Sequence, residues 1–208
     1  QVGNLLNDPQ STTHQVSELL KSDQALTARI LRLANSSYYS IPGGVKDVSK
    51  ALSFLGFNTV SQLILSLTVF QSFRSLSERQ PEGSLSFLGF WQHALATALF
   101  AQQIAKDLRC SDSEELFTSG LLHDLGKLAI LQIDEKELSN KVRLAKEMDV
   151  WLIEAEKEFP TPNHCEVGAQ LSAHWGLPPS IQTVLLHHHS SLEELDALSA
   201  QDREKVLI

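Results

Sequence analysis

The string SGLLHDLGKLAILQI, residues 119–133, sets His123, Asp124 and Lys127 among Leu121, Leu122, Leu125, Leu128, Ala129 and Ile130. A buried charge is costly unless a partner compensates it. The polar side chains are therefore either solvated or gathered at a metal ion. Lys127 stands one helical turn beyond Asp124, placed either to pair with that carboxylate as an ordinary i, i+3 neighbour or to meet a phosphate. Imidazole recurs at His93 in FWQHALATALF, at His164 and His174 in NHCEVGAQLSAHWGL, and at His187, His188 and His189 in VLLHHHSS. A single histidine on a helix is more often a hydrogen-bonded core or surface residue than a ligand, and His14 and His174 are read that way. Taken alone, the triple histidine is equally well a solvated helix end, where the dipole favours imidazolium.

Such residues need elements to hold them, and the apolar spacing is helical along nearly the whole chain. Val16, Leu19 and Leu20 form a short stripe. Leu26, Ile30, Leu31 and Leu33 form a second, beginning near Asp23 as N-cap and ending around Asn35, Ser36 and Ser37. Tyr38 and Tyr39, read as packing residues, and the IPGG turn follow. ALSFLGFNTVSQLILSLTVFQSF breaks at Gly56 and then runs from Phe57 to Phe73 without a charge, the pattern of a helix buried nearly all round. Its lack of arginine and lysine argues against a DNA-reading helix-turn-helix. The polar, Pro- and Gly-containing stretch 74–86 places a boundary between an N-terminal helical lobe, 1–80, and a second lobe, 81–208.

In the second lobe FLGFWQHALATALFAQQIAKDLRC reads as a long amphipathic helix with His93 near its start. SDSEELFTSGLLHDLGKLAIL opens on acidic residues, which suit a helix N-terminus. DEKELSNKVRLAKEMDVWLIEAEKEF reads as a charged, largely solvated helical stretch that PTPN ends. Asn163 caps a helix closed by Gly176 and Pro178, and PPSIQTVLLHHHSSLEEL ends its helix in the three histidines. Strand signals and fixed-period repeats are absent, so the expected fold class is all-α.

The 208 residues, 42% hydrophobic and 20% charged, suffice for one large core or two small lobes. Cys110 and Cys165 lie outside any CxxC spacing, which argues against a disulfide framework or a cysteine zinc site and fits a reducing compartment. A formal net charge of −8 argues against nucleic-acid binding. Without a membrane-length apolar run or a signal peptide, the chain is expected in the cytoplasm, off the membrane. It starts without Met and stops at REKVLI in mid-helix pattern, so it is expected to be a piece of something longer.

The strings DQALTARILRLANSSYY, ALSFLGFNTVSQLILSL, FWQHALATALFAQQIA, LFTSGLLHDLGKLAI, NHCEVGAQLSAHWGLPPSI and VLLHHHSS together carry a resemblance. Residues 85–190 resemble the HD superfamily of metal-dependent phosphohydrolases, and most of the chain resembles its HDOD branch. The resemblance implies an all-α fold, a helical lobe packed on an HD-like bundle. It also implies a metal held by His93, His123, Asp124, His164, His188 and His189. A mixed imidazole and carboxylate shell suits a divalent transition metal, one or two ions, with iron or manganese first and nickel or zinc next. Lys127 would be the phosphate contact.

Two departures shape the functional expectation. The late aspartate of catalytic HD enzymes has no assignable counterpart, since Asp196 follows the histidines too soon, and no GYP-type signature of cyclic-di-GMP-hydrolysing relatives follows His189. The resemblance thus implies a signalling or regulatory module working through contacts with signalling proteins or fused signalling domains. The alternative is a metal-dependent phosphohydrolase acting on a nucleotide or phosphoester.

Overall fold

A computed structural model of the chain describes residues 24–36, 39, 41, 43–56, 59, 60, 64, 67, 69, 71–73, 76, 86–110 and 113–208. His14, the stripe at Val16, Leu19 and Leu20, Asp23, Tyr38, Pro42 and most of 57–86 lie outside the described residues. The chain divides into two units, Gln1–Gln71 and Ser72–Ile208. Helix is the regular structure of both, and no strand occurs among the described residues. No helix among them is long and apolar enough to cross a membrane.

In the first unit, α1 (Gln24–Ala34) and α2 (Val48–Leu55) bury Ile30, Val48 and Leu52 together with Val60 and Ile64. Asp47 caps α2 by accepting a hydrogen bond from Lys50 N at 2.8 Å. Gly56, at φ +83°, ends it in a conformation that side chains resist. Between the helices the Asn35 amide is bonded at both ends, accepting from Val45 N at 2.7 Å and donating to Val45 O at 2.8 Å. That double bond folds the connection back against α1.

The second unit comprises α3 (Phe87–Asp107), α4 (Ser113–Leu122), α5 (Leu125–Ile133), α6 (Glu135–Met148), α7 (Leu152–Glu156), α8 (His164–His174), α9 (Pro179–His187), α10 (Leu192–Leu195) and α11 (Ala200–Leu207). Two glycines set its geometry. The buried side of α3 carries Ala94, Ala98, Ala101 and Ala105, and α4 comes so near that a Cβ on Gly120 would stand 2.9 Å from Ala98 Cα. A Cβ on Gly126 in α5 would collide with the His164 carbonyl oxygen and lie 2.8 Å from Gly168 N. Helix backbones thus touch at both crossings, which only residues with little or no side chain allow.

The stretch 134–159 is helical and largely exposed, as expected, but it forms two helices and buries two of its charges. Asp149, in the left-handed conformation at φ 55°, ends α6, and α7 starts anew after Trp151. Lys141 and Glu156, at 0% and 2% exposure, point into the interior. Their charges satisfy one another, as described below.

Candidate metal centre

Four segments meet at Asp124. His93 lies in the second turn of α3, His123 and Asp124 fill the tight link between α4 and α5, His164 opens α8, and His188 and His189 follow α9. The start of α8 is fixed by a capping box: Asn163 Oδ1 accepts from Glu166 N at 3.0 Å while the Glu166 carboxylate accepts from Asn163 N at 3.0 Å. His164 is fully buried, Asp124 is 2% exposed, and the His93 side chain is 60% exposed.

The two carboxylate oxygens of Asp124 face different neighbours. Oδ1 lies 3.5 Å from His164 Nε2 and 3.5 Å from His188 Nε2. Oδ2 lies 3.3 Å from His123 Nε2 and 3.6 Å from His93 Nε2, and accepts a 2.7 Å hydrogen bond from Lys127 Nζ. One ligand atom each from Asp124, His164, His188 and His189 falls within a 4.8 Å span, as does one each from His93, His123 and Asp124. The geometry brings together every residue that the resemblance assigns to the metal, and sets Lys127 beside them. Asp196 stands apart, 71% exposed and paired with Arg203 at 2.7 Å. Exposed His174 is not in the cluster.

Which ring nitrogen carries hydrogen follows from the partners behind the rings. His123 Nδ1 donates to Gly120 O at 2.7 Å, His188 Nδ1 to Leu185 O at 2.9 Å, and His164 Nδ1 to Glu156 Oε2 at 2.5 Å. These oxygens can only accept, so in the neutral rings each Nε2 presents a lone pair. The lone pairs of His164 and His188 therefore point at an anionic oxygen. Asp124 Oδ1 is itself buried and receives no hydrogen bond, since contacts of 3.5 Å from nitrogens without a proton are not hydrogen bonds. Lone pairs converging on a buried carboxylate oxygen repel unless a cation lies among them. The donor set fits a divalent ion.

Glu156 and Lys141 complete this support, and the sequence offers no sign of either. The Glu156 carboxylate also accepts from His164 N at 3.1 Å. Lys141 Nζ lies 3.8 Å from Glu156 Oε1 and 2.9 Å from Glu137 Oε1, and donates to Pro162 O at 3.0 Å. Removing one partner of such a buried set strands the other's charge. Lys141→Met is expected to destabilise the chain by about 3–5 kcal/mol, lowering the unfolding midpoint by roughly 6–20 °C. A midpoint within about 2 °C of wild type would show that Glu156 does not depend on Lys141.

Cys165, the other residue absent from the sequence-based set, has Sγ 3.6 Å from His164 Nε2 and 3.9 Å from His188 Nε2. Burial first, then the Glu156 and Asp124 carboxylates, push its thiol up to about 12. It therefore remains an S–H group, a weak donor rather than a thiolate ligand.

Burial opposes the charge on Asp124, yet the His123 and His188 rings, when protonated, and the Lys127 ammonium hold its carboxyl below the usual carboxylate range. Burial holds His188 below its ordinary value, and burial with the neighbouring His188 brings His189 to about 4. Depressed values mean that the folded chain binds fewer protons than the unfolded one as pH falls from about 6.5 to about 4. Chelator-treated protein is therefore expected to be most stable above pH 6.5 and to lose stability steadily on acidification through that window. Thermal unfolding across that range checks the sign, and a midpoint that rises on acidification contradicts it.

Residues 1–191 match the HDOD domain family. The chain belongs to the HDOD domain family. It is similar to a crystal structure of an HDOD domain protein of unknown function from Geobacter sulfurreducens, with a TM-score of 0.80 at 30% identity over 99% of this chain and 66% of that one. A candidate phosphohydrolase from Shewanella amazonensis SB2B matches with a TM-score of 0.80 at 27% identity, over 99% of this chain and 71% of that one. An uncharacterized protein of Treponema pallidum (strain Nichols) is 24% identical over 189 residues, 88% of this chain but 35% of the relative. The chain thus spans about a third of its curated relative's length.

Proposed function

We infer that this chain is a regulatory HDOD module of bacterial signal transduction that acts mainly through protein contacts and retains a metal centre. The observation that supports the centre is the buried, undonated Asp124 Oδ1 facing the lone pairs of His164 and His188. His93, His123, Asp124, His164, His188 and His189 would hold one or two divalent transition ions. Iron or manganese suits this mixed shell first, with nickel or zinc as the other candidates. The partners of such a module are signalling proteins or signalling domains joined to it, in the cytoplasm and away from nucleic acid and membrane.

A second reading, a metal-dependent phosphohydrolase, is favoured by a cavity of about 280 Å³ beside the cluster, lined by His93, Thr97, His123, Val184, His188 and His189 among others. Its volume lies near the lower limit of ordinary ligand pockets. It suits a small phosphoester better than a whole cyclic dinucleotide. In this reading a bound ion supplies Lewis acidity toward a phosphoryl oxygen. His93, whose side chain is 60% exposed, lines the cavity together with Thr97 and Val184. The Lys127 ammonium, 15% exposed and bonded to Asp124 Oδ2, would supply the positive charge for a phosphate by turning from that carboxylate.

Elemental analysis of protein prepared without chelator, followed by assays on cyclic-di-GMP and a generic phosphodiester with iron or manganese under reducing conditions, separates the readings. The expected result is retained metal with little or no turnover of cyclic-di-GMP. Turnover that vanishes in Asp124→Ala would replace the regulatory reading with the enzymatic one. Metal-free protein whose melting ignores iron, manganese, nickel and zinc would remove the metal centre from both.

A further inference from the structure

The two sides of Asp124 are not equivalent. On the Oδ1 side nothing neutralises the carboxylate oxygen: its neighbours are the acceptor nitrogens of His164 and His188, with His189 completing the nest. On the Oδ2 side the chain supplies its own positive charge. Lys127 Nζ hydrogen-bonds Oδ2 at 2.7 Å. The Nε2 atoms of His93 and His123 lie 3.1 Å apart. His123 keeps its proton on Nδ1 for Gly120 O, so His93 Nε2 donates and His123 Nε2 accepts. The lone pair that a cation would need from His123 is thereby in use.

We propose that Lys127 serves as an internal cation for the second metal position, so that the resting centre holds one ion, on the Oδ1 side. A first ion among His164, His188, His189 and Asp124 Oδ1 would displace no cation, only the weak contact of the Cys165 S–H group with the His164 or His188 ring. A second ion at His93, His123 and Asp124 Oδ2 must expel the ammonium from Oδ2 and break the hydrogen bond between His93 and His123, and it would settle against a first divalent ion across one shared carboxylate. The i, i+3 spacing of Asp124 and Lys127 on a rigid helix start makes the ammonium a high local concentration of competitor. Occupancy of the second position thereby becomes a property of where Lys127 points. The inference rests on the reading of Asp124 as a metal ligand, but concerns how many ions that ligand shares.

The test uses the whole chain, stripped with chelator and titrated with Mn(II), with bound metal counted by dialysis and the electron paramagnetic resonance spectrum recorded. Wild type is expected to bind one Mn(II) per chain with an uncoupled spectrum. Lys127→Met is expected to bind two, the second at least tenfold more tightly than wild type binds any second ion, with the spectrum of a spin-coupled pair. Lys127→Gln, which keeps a donor at Oδ2 without the charge, is expected to behave like Lys127→Met, and Lys127→Arg to return the count to one. Adding His93→Gln to Lys127→Met should remove the second ion, because His93 belongs only to the second position. Wild type that binds two ions of similar affinity overturns the proposal whatever the variants do. So does a folded Lys127→Met that stops at one ion, or a second ion that survives loss of His93. Wild type that binds no ion overturns the metal centre itself, an outcome distinct from either.

Discussion

Asp124→Asn is expected to leave the chain folded and unable to keep its ion. The asparagine amide has the shape of the carboxylate but carries two N–H donors and no charge. Its oxygen can accept from Lys127 while its NH2 group reaches toward the lone pairs of His164 and His188, which the carboxylate leaves undonated. In the metal-free protein the substitution therefore exchanges a repulsive contact for a hydrogen bond, and the unfolding midpoint should equal or exceed that of wild type. The response to metal moves the opposite way. A ligand present at about 100 times its dissociation constant stabilises the native state by about 2.7 kcal/mol, a rise of roughly 5–10 °C for a chain of this size. That rise should vanish in Asp124→Asn, with metal affinity reduced more than the 10–100-fold typical of losing an outer partner. A metal-induced rise equal to that of wild type would show that the ion, if bound, does not use Asp124.

The other large effect belongs to Gly126. Alanine there places a methyl carbon into the His164 carbonyl and 2.8 Å from Gly168 N, and both obstacles are backbone. Backbone cannot turn aside as a side-chain end can, so α5 and α8 must separate or tilt. Overpacking of this kind costs about 1–3 kcal/mol in tolerant cores, and this position should sit at or beyond the upper end, lowering the midpoint by at least roughly 6–12 °C. Because Asp124 precedes α5 and His164 opens α8, the same displacement pulls the carboxylate from its histidine. Gly126→Ala should therefore lose metal affinity as well as stability, unlike Asp124→Asn. Gly43 has open space around the position of a Cβ, so a side chain there would meet no such obstacle and only the strain of its φ of +74°. A variant of Gly126 with wild-type melting and metal content would mean that the crossing is not what holds the two ligands together.

These two positions illustrate what could and could not be read from the sequence. That His93, His123, Asp124, His164, His188 and His189 lie together could be read because each sits in a string with a family pattern around it, and Asn163 was legible as a cap because capping depends on residues three apart. The helices followed from apolar spacing for the same local reason. Gly126 was not legible as a contact, because the backbone it meets belongs to residues 164 and 168. Nor were Lys141 and Glu156. They sit in a stretch dense with Glu and Lys, where burial of a single charge leaves no mark on the pattern, and their justification is the Nδ1 of a histidine on another helix. Cys165 escaped notice because its significance lies in its distance from two rings rather than in its spacing from Cys110.

The spread of the ligands along the chain has a further consequence. His93 and His123 are separated by 30 residues, and His164 and His188 arrive from helices later still. An ion that meets the chain before those helices have docked finds at most the adjacent His188 and His189, with long loops to close before Asp124, His164 or His93 can join them. Its full ligand set would assemble only once α3, α4, α5, α8 and α9 are in register. Occupancy is thus a gauge of closure. In the regulatory reading proposed above, a partner that pries α8 away from α5 would loosen the grip on the ion, and in return the ion would resist being pried, so that the centre would act as a mechanical latch.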